Sequence, residues 1–192
     1  GIADNLGNSI SYTLDAMGNR VKEDVRDPSG QLAQTRSREY DALNRLYKDI
    51  GAAGQATIYA YDAQGNLKQT TDPLAHSTAS NYDALDRLIR TTDPAGGQVQ
   101  NAYDALDRVT RVTDPKGVAT TYTYNGLGDL LSEVSADRGT TTYTYDSAGN
   151  LLTRTDARGV THTTRYDVLN RPIARVHTAP KGTPATPDIT WQ

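Results

Sequence analysis

Aspartate recurs in this chain at Asp41, Asp62, Asp83, Asp104, Asp146 and Asp167, each time directly after a tyrosine. Acids at fixed spacing are the first residues to test for chemistry, since paired carboxylates can do general acid and base work and acidic arrays can hold calcium. An active site has little use for six equivalent copies of one acid. One acid per Asp-x-x-Gly segment also lacks the ligand spacing of an EF-hand loop or of the calcium-binding Gly-Gly-x-Gly-x-Asp repeat. His76, His162 and His177 occupy unrelated positions, and none has the i, i+4 partner of a helical metal site. His162 and Asp156 can approach across one turn, but no nearby Ser or Thr is marked as an activated nucleophile. The glycines form no strand-to-helix Gly-x-Gly-x-x-Gly element. Cys is absent, which removes thiolate ligands, disulfides and Cys nucleophiles together. The expectation is no catalytic residue, no metal and no cofactor.

What the aspartates do follow is a period. Tyr-Asp or a near variant stands every 21 residues, at Tyr40, Tyr61, Tyr82, Tyr103, Tyr124, Tyr145 and Tyr166, with Asn125 replacing Asp once. Four residues past each Tyr comes Asn44, Gly65, Asp86, Asp107, Gly128, Gly149 or Asn170, types that tolerate a left-handed backbone. Asp146-Ser147-Ala148-Gly149 therefore reads as a type I turn led by a carboxylate that holds backbone amides. A second set of turns, at Asp27-Pro28-Ser29-Gly30, Asp72-Pro73, Asp93-Pro94, Asp114-Pro115 and Asp156-Ala157, falls between them. Turns about every ten residues, separated by Thr-, Tyr- and Val-rich segments such as 120–124, predict short strands and no helix. A fixed period of this size marks stacked supersecondary units.

Hairpin register then predicts which side chains meet. Tyr61 should oppose Leu67, Tyr82 Leu88, Tyr103 Val109, Tyr124 Leu130 and Tyr145 Leu151, one pair per repeat, forming an aromatic and aliphatic stripe. The tyrosine hydroxyls can stay wet while their rings pack. Paired tyrosines, Tyr122 with Tyr124 and Tyr143 with Tyr145, offer a possible platform for sugars, although ordinary sheet packing also explains them.

Hydrophobic residues make up 36% of the 192, with no Phe, one Met and one Trp. That is too little for a tightly packed sandwich and favours a broad, curved sheet of linked hairpins, wet on both faces outside its stripe. A net charge of -3 gives no basic footprint for nucleic acid. No stretch approaches the roughly 20 apolar residues of a helical membrane span, and neither end resembles a signal peptide. Residues 1–39 read as an irregular first repeat: Leu14 fits the tyrosine position but precedes Tyr40 by 26 residues. Its five extra residues belong to a loop or to a lengthened hairpin. Residues 40–178 are the regular array, and 179–192, with Pro180, Pro184 and Pro187, read as an exit segment. The chain opens on Gly1 and reads as an excised fragment.

The units resemble the YD repeats of the Rhs family, found also in insecticidal toxin complexes and teneurins. Tyr-Asp-x-x-Gly-Asn/Arg-Leu is matched closely at residues 61–67 and 145–151, and with substitutions in five further copies. That resemblance implies a strip of hairpins spiralling into a hollow β-shell, which in bacterial members encloses a toxic polypeptide and in teneurins forms part of an adhesive extracellular domain. It implies a secreted or cell-surface protein, here bacterial, whose partner is toxin cargo in its parent chain. The family's Asp-Pro-x-Gly-Leu self-cleavage motif is absent; Asp114-Pro115-Lys116-Gly117 continues with Val118 inside the repeat frame. Two readings stand: a wall segment holding cargo, or a recognition module binding carbohydrate or protein through Tyr-rich surfaces. Unpaired strands at the ends of such a fragment would favour self-association by edge pairing.

Overall fold

A computed structural model of the chain describes residues 1–180, 182 and 189–190. The chain is all β, built of repeated antiparallel hairpins, and no helix occurs among the described residues. None is therefore long and apolar enough to cross a membrane. Two compact units divide at a repeat turn, Gly1–Gly97 and Gln98–Gln192. The first holds β1 (Ile2–Ala3), β2 (Ser9–Leu14), β3 (Arg20–Arg26), β4 (Leu32–Tyr40), β5 (Leu46–Ile50), β6 (Ala56–Tyr61), β7 (Leu67–Thr71), β8 (Ser77–Tyr82) and β9 (Leu88–Thr92). The second holds β10 (Gln98–Tyr103), β11 (Val109–Thr113), β12 (Ala119–Tyr124), β13 (Leu130–Ser135), β14 (Gly139–Tyr145), β15 (Leu151–Thr155), β16 (Thr161–Tyr166), β17 (Pro172–Thr178) and β18 (Ile189–Thr190). Within each unit every strand pairs antiparallel with the next.

Two kinds of hairpin alternate. Where a tyrosine closes the first strand, the ladder skips a residue beside the turn: Tyr61 faces Leu67, but Ala60 faces Gln69. The same bulge recurs at Tyr40, Tyr82, Tyr103, Tyr124, Tyr145 and Tyr166. It occurs also at Leu14 and beside the Asp27 turn, whereas at the Gly51, Asp72, Asp114 and Asp156 turns pairing is regular, as in Gln69, Thr70 and Thr71 against Ala79, Thr78 and Ser77. A bulge sharpens local twist and interrupts the ladder, so the two ends of each hairpin differ. Pro172, which replaces Leu in the last repeat, stands first in β17, where its missing N–H is tolerated.

The five extra residues before Tyr40 lengthen a hairpin and leave its turn unchanged. β3 has seven residues against five in β5, and β4 has nine against six in β6. The Asp27 turn between them makes the same two backbone bonds as the others. Pro184, Pro187 and Trp191 lie outside the described residues.

Little is buried. Among the described residues Val160 alone forms the apolar core, and the other buried side chains are Asp49, Ser135 and Thr164. Polar pairs link strands where a denser protein would place aliphatics: Thr71 with Ser77 at 2.8 Å, Thr123 with Ser132 at 2.6 Å, Thr144 with Thr153 at 2.6 Å and Thr155 with Thr161 at 2.8 Å.

One turn is strained. The left-handed position after each turn is filled by Gly, Asn or Asp except at Ala75, which sits at φ 65°. A Cβ in that region costs roughly 1–2 kcal/mol. Ala75→Gly is therefore expected to raise unfolding stability by about 1 kcal/mol, read from urea denaturation. An unchanged or lower midpoint would show that the strain is absent.

Candidate functional site: capped turns and a tyrosine tie

Among the described residues fifteen turns share one design. In each, the fourth residue donates its N–H to the first carbonyl and the first N–H donates to the fifth carbonyl, as in Gly65 to Asp62 O at 3.2 Å and Asp62 to Asn66 O at 2.9 Å. This is a type I turn followed by a left-handed residue, the three-residue hairpin loop. Asp leads thirteen of the turns, including those at Asp41, Asp62, Asp83, Asp104, Asp146 and Asp167. Its Oδ1 accepts the N–H of the third and fifth residues; for Asp62 these are Gln64 at 3.0 Å and Asn66 at 2.8 Å. Gly65, Gly128 and Gly149 take the left-handed position at φ 98°, 96° and 82°.

The fifth residue completes the cap on the tyrosine side. Asn66 and Asn150 donate to Oδ2 of Asp62 and Asp146 at 3.2 and 3.0 Å. Arg45, Arg87, Arg108 and Arg171 reach the same oxygen of their own turns through Nε at 2.7–2.8 Å. Asn125 leads the one turn in which polarity is exchanged: its Nδ2 donates to Asp129 Oδ2 at 2.8 Å. Where the leader loses its charge, the fifth residue has gained one.

Two caps escape the sequence pattern. Asp4 leads a turn between β1 and β2, bonded to Leu6 and Asn8 at 2.9 Å. Gly51 leads another with no side chain at all. There Gln55 Oε1 accepts the Ala53 N–H at 2.9 Å. The Gln55 amide lies 2.3 Å from where a Gly51 Cβ would stand, so a glutamine from the far end occupies the space an aspartate would fill.

Neighbouring hairpins are joined by the tyrosines. Tyr61 Oη donates to Leu46 O at 2.7 Å, Tyr82 to Leu67 O at 3.1 Å, Tyr124 to Val109 O at 2.8 Å, Tyr145 to Leu130 O at 3.0 Å and Tyr166 to Leu151 O at 3.0 Å. Each acceptor lies 15 residues back, in the preceding hairpin. The β7–β8 ladder stops at Gln69 and Ala79. Beyond that point the bulge leaves the Leu67 carbonyl outside the ladder, and the hydroxyl bridges the gap. Tyr40 reaches Arg20 O, 20 residues back, at 3.4 Å; the lengthened hairpin preserves the tie. The hydroxyls are thus structural donors, which corrects the expectation that they stay wet.

Further links run from turn to turn. Arg45 stacks on Tyr61 at 4.4 Å and Arg108 on Tyr124 at 4.8 Å. Asn66 donates to Asp86 Oδ1 at 2.6 Å, Asn150 to Asn170 Oδ1 at 2.9 Å, and Asn19 to Asn44 Oδ1. Arg over the next ring, or Asn to the next left-handed residue, are two routes to one end.

The residues considered as a sugar platform sit in this fabric. Tyr122, Tyr124, Tyr143 and Tyr145 are all half-buried. Burial is the first cause holding the Tyr122 and Tyr145 hydroxyls above the ordinary tyrosine range. Tyr103 faces Val109 and is half-buried as well. Asp49, 8% exposed, is held by Arg36 at 2.6 Å and lines an open polar cleft of about 340 Å³ with Gln34, Gln55 and Tyr59. Among the described residues no group of three or more His, Asp or Glu converges as a metal site would require.

This geometry defines a class, a strip of self-capped hairpins stitched by tyrosine hydroxyls. The sequence model of the Teneurin YD-shell matches residues 8–177, and the chain belongs to that family. No curated protein sequence matches it. Among solved structures, a Tc holotoxin pore from Photorhabdus luminescens superposes with a TM-score of 0.73 at 17% identity over 92% of this chain. A TcdB2-TccC3 crystal structure does so at 0.72 and 17% over 88%, and TcdB2-TccC3-Cdc42 at 0.74 and 16% over 91%. The chain spans 11% of the length of each. At such identity the likeness establishes the fold.

Asn125→Asp would set two carboxylates against each other and is expected to destabilise the chain by about 1 kcal/mol, with Asp129→Asn restoring most of it. Equal stability of the single and double variants by denaturant unfolding would contradict the exchanged cap. A second expectation concerns acid. The Asn150 side chain is the first cause holding the Asp146 carboxyl below the ordinary range, the Arg87 side chain does so for Asp83, and the Arg45 N–H for Asp41. A carboxyl depressed in the folded chain adds stability that is complete above its unfolded pKa of roughly 4 and is lost as pH falls through the lower folded value. Thermal unfolding by circular dichroism should be level from neutral pH to about 5 and fall below about 4. An equal melting temperature at pH 3 and 7 would show that the caps contribute nothing.

Proposed function

We propose that this chain is a wall segment of a YD-repeat shell that encloses a toxic polypeptide cargo in a secreted bacterial toxin, and that it performs no catalysis. The observation that carries this reading is the tie from each tyrosine hydroxyl to the preceding hairpin. It lets hairpins add in series without a deep core, which suits a thin wall better than a globular domain. Leucines at the turn tips, such as Leu127 at 89% and Leu43 at 71% exposure, suit edges that a longer parent chain would cover. The aspartates that lead the turns are occupied by backbone amides through Oδ1, a structural task that favours a scaffold over catalysis. Half-burial of Tyr122, Tyr124, Tyr143 and Tyr145 favours the wall over a sugar platform. The matched toxin-complex structures support cargo as the partner and the cell exterior as the destination.

The test uses the parent protein. Its enclosed polypeptide should resist added protease in the intact chain, and replacing Tyr61, Tyr82, Tyr124 and Tyr145 by Phe together should expose it at lower denaturant. Digestion of that polypeptide at the same rate in the intact parent as when free would reject the wall reading.

A further inference from the structure

Three adjacent strands of the second unit bring basic side chains together. Arg154 on β15 pairs with His162 on β16, and His162 pairs in turn with His177 on β17. Arg175 pairs with Thr164 one step along the same two strands. Directly paired residues share a face of an antiparallel sheet, so all five project from one side. Four of them, Arg154, His162, Thr164 and Arg175, line a cavity of about 150 Å³ together with Leu151.

The cavity has a polar floor. Thr164 is 5% exposed and lines this space. Its side chain stands beside Arg154 and Arg175 in the lining. Arg154 forms no ion pair among the described residues. Asp156 on the adjoining turn acts on His162 as well, and its Oδ2 is taken by Arg158 at 2.7 Å. Burial and then the charges of His177 and Arg154 hold the His162 ring below its usual titration range, with Asp156 acting in the other direction and Arg175 adding to the depression. The local potential is thus positive in a chain whose net charge is -3.

We propose that this cavity binds a tetrahedral oxyanion, the phosphate or sulfate group of a small ligand. Arg154 and Arg175 supply the opposing charge, Thr164 Oγ1 donates from the floor, and His162 closes one side. Arginine suits this task because its planar fork presents several donors to one oxyanion. No covalent step is involved. Sulfate binding should tighten as pH falls, because protonation of His162 adds charge beside Arg154 and Arg175.

The 192-residue chain is titrated with inorganic phosphate, sulfate, acetate and chloride at matched ionic strength, following the His162 ring by NMR. Phosphate or sulfate should shift His162 saturably and raise its pKa, whereas acetate and chloride should not. Arg154→Ala should weaken binding roughly tenfold. Thr164→Val, which keeps the buried shape, should weaken it with an unchanged melting temperature in the unliganded chain, and Arg138→Ala should leave it intact. Absence of saturation with both oxyanions, an equal shift with chloride, or affinity retained in both Arg154→Ala and Thr164→Val would overturn the assignment.

Discussion

One aspartate oxygen accepting two backbone amides is the contact on which this structure rests. A hairpin in a protein with a large core can borrow its turn geometry from packing. Here the apolar core is nearly absent among the described residues, so each turn must hold itself. Oδ1 of the leading Asp satisfies the third and fifth N–H groups, and the left-handed fourth residue turns the chain back without strain when it is Gly. The exceptions obey the same requirement: Gln55 supplies the missing oxygen to the Gly51 turn from its far end, and Asn125 keeps the oxygen while Asp129 supplies the charge. The chemistry of the position matters more than the residue that meets it.

Once the turns hold themselves, joining the hairpins is a separate problem. Ladders between hairpins are short, three pairs between β7 and β8, and the bulge beside each tyrosine turn opens the sheet where pairing would otherwise continue. A tyrosine spans that opening with its ring and closes it with its hydroxyl. Phenylalanine could supply the ring alone, and the chain has twelve Tyr and no Phe. Because each tie reaches only the preceding hairpin, stability accrues by neighbour interactions, as in other linear repeats. A wall that must be long and thin, and wet on its faces, can be extended in this way without limit from a core.

Much of this was legible in the sequence because the period is rigid. The 21-residue spacing, the Asp-to-Gly turns and the register that sets Tyr61 against Leu67 follow from local rules of turn chemistry and strand alternation. The tie to the Leu46 carbonyl was not legible, since it depends on how far the bulge splays adjacent hairpins, a property of three dimensions; the absence of Phe was its one visible trace. The Gly51 and Asp4 turns were hidden for a different reason, because the first lacks an aspartate and the second precedes the regular array. The basic cluster at Arg154, His162, His177 and Arg175 spans 24 residues in sequence and comes together only through the register of three strands.

The most direct test of the central claim is amide hydrogen exchange on the intact chain, read at the third and fifth residues of each turn. If the aspartate caps hold the fold, Gln64, Asn66, Ala148 and Asn150 should be protected about as well as the strand amides beside them, despite their place at the surface. Exchange of those amides at the rate of an unstructured peptide, with the neighbouring strands still protected, would contradict it.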